Sequence, residues 1–248
     1  MQIRAQTLPP ALVPERSGTV TTVIDGDTVT LDTGATVRLV GLQAPKLPLG
    51  RPGLTAWPLA EEAKRALSGL TLGRSVRLAF GGRQRDRNGR WLAHITVADT
   101  NQWVQGTMLR AGWARVYTFL DNRAEIPAML AEEVAARRAS RGIWPDPHYR
   151  VRAATEEQWV FDRFELVEGW VVDAARVRGR IYLNFGTNWR DDFTVTIAPE
   201  DVQRFRDGGM NPLDLEGRSI RVRGWVYPRN GPMIDLDHPE QIELLDLD

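Results

Sequence analysis

The chain of 248 residues contains no cysteine, which excludes a disulfide framework, a thiolate zinc site and a cysteine nucleophile together. It also lacks any apolar run near 18 residues, so the sequence predicts no membrane-spanning helix. Lysine is scarce: Lys46 and Lys64 are the only two among 32 basic residues, the rest being arginine. Histidine is limited to His94, His148 and His238, and no pair of them has metal-ligand spacing. The opening segment shows no apolar stretch of signal-peptide length, although a removed export signal would be compatible with the chain as given.

What is present is a soluble-type composition, 42% hydrophobic and 26% charged. The net charge is zero but unevenly spread. Residues 1–150 carry 20 basic and 13 acidic side chains, a net of +7, and residues 151–248 carry 12 and 19, a net of −7. This split points to an anionic partner for the first half, or to attraction between the halves.

Residues 1–17, with three prolines and no periodicity, read as an extended lead-in. From Gly18 the segments GTVTTVIDGDTVTLDTG and ATVRLVGL alternate β-branched and polar residues and predict strands. Residues 43–58 hold four prolines and read as a loop. A helix with Leu59, Ala63, Ala66 and Leu67 on one side follows. SVRLAF and WLAHITV are strands around the turn GGRQRDRNGR. A second helix runs through WVQGTMLRAG, and a third spans about Ile126 to Arg141, with Met129, Leu130, Val134 and Ala135 as its apolar face. The expected architecture is mainly β with helices, an α+β barrel over 18–145. A linker is expected at 146–160 and a second β-barrel at 161–248. In the latter, four or five strand-like runs with a helix near Asp201–Arg206 after the third follow the order of an OB-fold.

Three pieces of the first half carry the chemistry. Asp25-Gly26-Asp27-Thr28 sets two carboxylates at a strand end, a pattern that an ordinary Asp-Gly turn also produces. Arg38 leads into Leu39-Val40-Gly41-Leu42-Gln43-Ala44-Pro45-Lys46. Arg85-Asp86-Arg87-Asn88-Gly89-Arg90 precedes Trp91. In this order, followed by a helix and Ile143-Trp144, they resemble the staphylococcal nuclease (thermonuclease) family over about residues 18–145.

The resemblance implies an OB barrel and calcium-dependent cleavage of DNA and RNA. Carried over, Asp27 takes the place of the first calcium aspartate and Asp25 that of the other aspartate of its motif. Arg38 and Arg90 take the places of the two phosphate-binding arginines, which stabilise charge at phosphorus. Three positions depart. Gln43 stands for the second calcium aspartate, Ala44 for a threonine that supplies only its backbone carbonyl, and Lys46 for the glutamate general base. A lysine, with a reference pKa of about 10.4, accepts no proton near neutrality. Glu61 and Glu62, beyond the loop, are the nearest alternative carboxylates.

The expectation is therefore a thermonuclease-like protein that binds nucleic-acid phosphates, with hydrolysis lost or weakened, its calcium site (Asp25, Asp27, Gln43) weak or absent. Binding needs no cofactor, and calcium enters only if the site is active. Single-stranded DNA or RNA is the expected partner. Arg85, Arg87 and Lys46 would support binding in the first barrel, and Arg221, Arg223, Trp225 and Tyr227, on one face of a strand, in the second. The alternatives are an active metal-dependent endonuclease with an altered site, and a structural or protein-interaction subunit that uses both barrels as scaffold.

Overall fold

A computed structural model describes residue 7 and residues 12–245, which divide into two compact units, Met1–His148 and Tyr149–Asp248. Of the expected lead-in, residues 1–6 and 8–11 lie outside the described residues. The first strand, β1 (Pro14–Asp25), begins four residues ahead of the predicted start at Gly18. The reason is long-range pairing: Pro14 to Thr19 ladder with a strand 60 residues away, a partner that local alternation cannot reveal.

β1 is one strand with two neighbours. Its first half pairs with β5 (Ser75–Ala79), and its second half, past register shifts that bend it, pairs with β2 (Thr28–Leu31). β2 pairs antiparallel with β3 (Thr36–Leu39), and β5 with β6 (Trp91–Val97). A parallel ladder between β3 and β6, Val37↔Trp91 through Leu39↔Ala93, closes the ring. The circuit β1-β2-β3-β6-β5-β1 is the five-stranded Greek-key closure of an OB barrel. Its lumen is filled by Val20, Val29, Val37, Leu39, Val76, Leu78 and Ile95.

Three helices and two short ladders complete this unit. β4 (Leu42–Gln43) and α1 (Ala60–Thr71) follow β3, and β7 (Gln102–Trp103) leads into α2 (Val104–Arg110). β8 (Arg115–Val116) pairs with β4 ahead of α3 (Ile126–Arg138). α1 buries Ala60, Ala63, Leu67 and Thr71, a stripe of helical period. α3 differs from expectation. It ends at Arg138, and its buried positions are Ile126, Met129, Glu133 and Ala136 rather than the Leu130, Val134 and Ala135 face. Glu133 tolerates full burial because it accepts hydrogen bonds from the Val116 amide (2.5 Å) and Arg137 (3.0 Å).

The second unit repeats this connectivity with a broken first strand. β9 (Arg152–Ala153) lies beside β10 (Arg163–Trp170), which is followed by β11 (Asp173–Val177), β12 (Arg180–Asn184) and β13 (Thr194–Ile197). Next come α4 (Val202–Asp207), β14 (Ser219–Pro228), β15 (Pro232–Leu236) and β16 (Ile242–Leu244). The neighbour order is β11-β12-β13-β15-β14-β10, with β13–β15 parallel and the other pairings on this path antiparallel. Taking β10 and β11 as the two halves of one strand reproduces the circuit of the first unit, with α4 after the third strand. Ile181, Leu183 and Phe185 and, on β14, Ile220, Val222 and Val226 are buried, as their alternation predicts.

His94 on β6 is buried, and its Nδ1 accepts a hydrogen bond from Trp103 Nε1 at 3.3 Å. Burial pushes its pKa down to about 4. Between that value and the usual 6.5 the unfolded chain binds a proton that the folded chain does not, so stability falls as pH drops through this window. The expected loss from His94 is about 3 kcal/mol. Urea melts of wild type and His94→Gln between neutrality and mild acid should show a flatter profile for the variant.

Candidate phosphate-binding site

The turn from β1 to β2 builds the centre of the site. Asp25 Oδ1 accepts a hydrogen bond from the Asp27 amide at 3.1 Å, which folds the turn on itself. Gly26 between them is required by space: a Cβ there would stand 2.6 Å from the Ala44 Cβ and 2.9 Å from the Ala63 Cβ of α1. The turn is thus pressed against α1 and the chain leaving β4. The Leu39 amide at the end of β3 donates to the Asp27 carbonyl at 2.8 Å.

Asp27 is wholly buried, and both of its carboxylate oxygens are taken. Oδ1 accepts from Thr28 Oγ1 at 3.0 Å and lies 3.8 Å from Arg38 Nη1. Oδ2 accepts from the Ala44 amide at 3.1 Å and, in a short contact, from the Lys46 ammonium. Lys46 Nζ is also 4.0 Å from Asp25 Oδ2. Burial alone would raise the Asp27 carboxyl; Lys46 and Arg38 outweigh it and hold it well below the usual carboxylate range. Asp25 moves the other way, raised by burial and by the neighbouring Asp27 charge. The lysine and arginine side chains keep 20% and 17% of their exposure while Asp27 has none. Two cations therefore face outward over a buried carboxylate.

The segment carrying Lys46 is itself braced. The Trp57 amide donates to the Lys46 carbonyl at 2.9 Å, and the Arg51 guanidinium donates to the Leu47 and Pro48 carbonyls at 3.2 Å each. Upstream, Gln43 is buried and its Oε1 accepts from Arg115 Nη2 at 3.0 Å across the β4–β8 ladder. Its oxygen is thus engaged by a buried cation. Glu133, through the Val116 amide, fixes the partner strand of that ladder.

Calcium requires several oxygen ligands, carboxylates above all. Asp27 is saturated by protein donors, Gln43 serves Arg115, and an ammonium stands beside both aspartates. Among the described residues no group of three or more histidine, aspartate or glutamate side chains could hold a metal ion. These residues do not fit a calcium ion. Glu62, the alternative carboxylate, is exposed and accepts from Arg65 at 2.8 Å.

The other expected residues lie in two further places. Arg90 sits at the entry to β6. Arg90 lies two residues before Leu92, which pairs with Arg38 across the β3–β6 ladder. Its Nε donates to Asp86 Oδ2 at 2.7 Å, and Asp86, despite partial burial, is held below its ordinary pKa by Arg90. Arg85 and Arg87 are exposed in the same turn. In the second unit the expected basic face is neutralised. Arg221 is bound by Glu168 (2.6 Å) and Glu243 (3.2 Å), and Arg223 is buried and bound by Glu243 at 2.5 Å. Trp225 is about half exposed, and Tyr227 hydrogen-bonds Asp235.

Residues 36–146 match the sequence model of the family described as staphylococcal nuclease homologue. The first barrel is SNase-like over these residues. The match takes in Arg38, Gln43, Lys46 and Arg90; Asp25 and Asp27 precede it and are joined to it by the bonds to Ala44 and Lys46. The family is nuclease-like and associated with nucleic-acid binding. No curated protein matches the chain. No helix among the described residues is long and apolar enough to cross a membrane.

The sequence alone did not single out Arg115 or Glu133 of the SNase domain. The signal was there in weak form: a charged residue between Ala114 and Val116, and a glutamate on the helical stripe that begins at Ile126.

Removing the ammonium should leave Asp27 buried with one less partner. Lys46→Gln is expected to lose about 2 kcal/mol at neutral pH, below the full value for a buried pair because Lys46 is partly exposed. The gap to wild type should narrow on acidification, since Asp27 without Lys46 protonates more readily. Urea melts at neutral and acidic pH measure both quantities.

Proposed function

We propose that this protein binds nucleic-acid phosphates at the SNase barrel without a metal and has lost, or strongly weakened, phosphodiester hydrolysis. The observation that carries this reading is the Lys46 ammonium on the Asp27 carboxylate. Hydrolysis needs a group to take a proton from water and a cation to hold it. At this position stands a cation that is part of the chain and offers no lone pair while protonated. Arg38 and Lys46 supply the positive field that a phosphate needs, and Arg90 lies just ahead of the strand that pairs with that of Arg38. The neutralised arginines of the second barrel support assigning the phosphate contacts to the first.

End-labelled single-stranded DNA and RNA, incubated with the protein in calcium, magnesium or EDTA, should remain intact in every lane of a denaturing gel. Calcium-dependent cleavage that disappears in Arg38→Ala would overturn the reading.

The double variant Lys46→Glu with Gln43→Asp should gain calcium affinity only weakly, because a carboxylate at position 43 faces Arg115. Adding Arg115→Leu should increase that affinity by about tenfold or more, the effect of freeing a carboxylate from a buried cation. Calorimetric titration of calcium into the double and triple variants tests this, and equal affinities would contradict the role given to Arg115.

A further inference from the structure

We infer that Trp91, with Arg16 and Arg85 against its ring, forms a second contact for single-stranded nucleic acid leaving the Arg38–Lys46 site, an inference that rests on the phosphate-binding reading above. The Arg85 guanidinium carbon lies 3.6 Å from the Trp91 ring centroid, and that of Arg16 lies 4.5 Å from it. Trp91 is half-buried at the end of the barrel and packs on Phe80 at 5.3 Å.

The platform is fixed by its backbone. Arg85 bridges to Trp91, the Leu92 amide donates to the Gln84 carbonyl at 2.8 Å, and Arg85 Nη1 donates to the Gly89 carbonyl at 2.7 Å. Its orientation is thus set before any ligand arrives.

The guanidinium groups of this patch are not neutralised by carboxylates: among the described residues neither Arg16, Arg85 nor Arg87 forms an ion pair with one. The nearby acids are committed elsewhere: Asp86 to Arg90 and to the Asn88 amide, and Glu15 to Gln84 at 3.4 Å. In the second unit Arg150, Arg204 and Arg221 are ion-paired, while Arg190, 4.5 Å from the Trp189 ring centroid, has no carboxylate partner among the described residues. An unpaired guanidinium on an aromatic face offers its plane to a base and its edge to a phosphate. The bases must be unpaired to use the plane, which favours a single strand over a duplex.

Trp91 stands opposite Val37 in the β3–β6 ladder and Leu92 opposite Arg38, so the Trp91 side chain projects from the other face of the sheet than Arg38. A strand with one phosphate at Arg38 therefore reaches Arg85 and Arg16 only by passing the edge of the barrel, a span open to a dodecamer and closed to a dinucleotide.

The test is fluorescence anisotropy in EDTA with a thymidine dinucleotide, an oligothymidylate dodecamer and an oligouridylate dodecamer, on wild type and on Arg16→Gln/Arg85→Gln. Both arginines are exposed, and a urea melt confirms that the variant folds as wild type does. Wild type should bind both dodecamers more tightly than the dinucleotide. The variant should lose about tenfold on the dodecamers, and its salt slope should fall by about 1.4, the value for two single-strand phosphates. Dinucleotide binding should be unchanged. Dodecamer affinity unaffected by the variant, with dinucleotide binding intact, overturns this inference and leaves the primary site standing. A loss confined to one dodecamer would identify DNA or RNA as the strand the patch accepts. Absence of binding by every probe overturns the phosphate-binding reading and this inference together.

Discussion

The ion pair between Lys46 and Asp27 is the constraint on which the site depends. A fully buried carboxylate is costly unless its oxygens are satisfied, and here Thr28, Ala44, Lys46 and Arg38 satisfy them. The pair also ties the strand-end turn of β1 to the loop after β4, two segments that meet only because the barrel closes. Placing the compensating cation in the chain makes the local fold independent of a bound ion. It also sets an ammonium beside both aspartates of the turn. Lys46 therefore acts on both the stability and the charge of the site.

The two units reach the same strand circuit from different sequences, and they treat their arginines differently. In the SNase barrel, Arg38 and Lys46 share a single buried aspartate with partly exposed heads, and Arg16, Arg85 and Arg87 have no carboxylate partner among the described residues. In the second barrel Glu168 and Glu243 hold Arg221 and Arg223 in place. The net charges are +7 for residues 1–150 and −7 for residues 151–248. A surface of the second kind is a poor electrostatic match for phosphate.

Much of this was legible in the sequence, and the limits have physical causes. The VIDGDT and RLVGLQAP segments and the RDRNGRW turn could be read in order because each is local. The departures at Gln43 and Lys46 were also visible, but the bond between Lys46 and Asp27 depends on barrel closure. Long-range partners were not legible. The Arg221–Glu168 contact joins residues far apart in sequence, so a basic-aromatic strand face read as open when it is neutralised. Arg115 on Gln43 and Glu133 on the Val116 amide were missed for the same reason, since polar residues at buried positions are understood only once their partners are known.

The most direct test of the account is the affinity of the wild-type protein for a 5′-phosphorylated dinucleotide, measured by calorimetry in EDTA and again with calcium in excess. If Lys46 supplies the positive charge, the two affinities should agree, and Lys46→Gln should weaken both alike. Binding that appears only with calcium, or that strengthens markedly when calcium is added, would contradict the account at its centre.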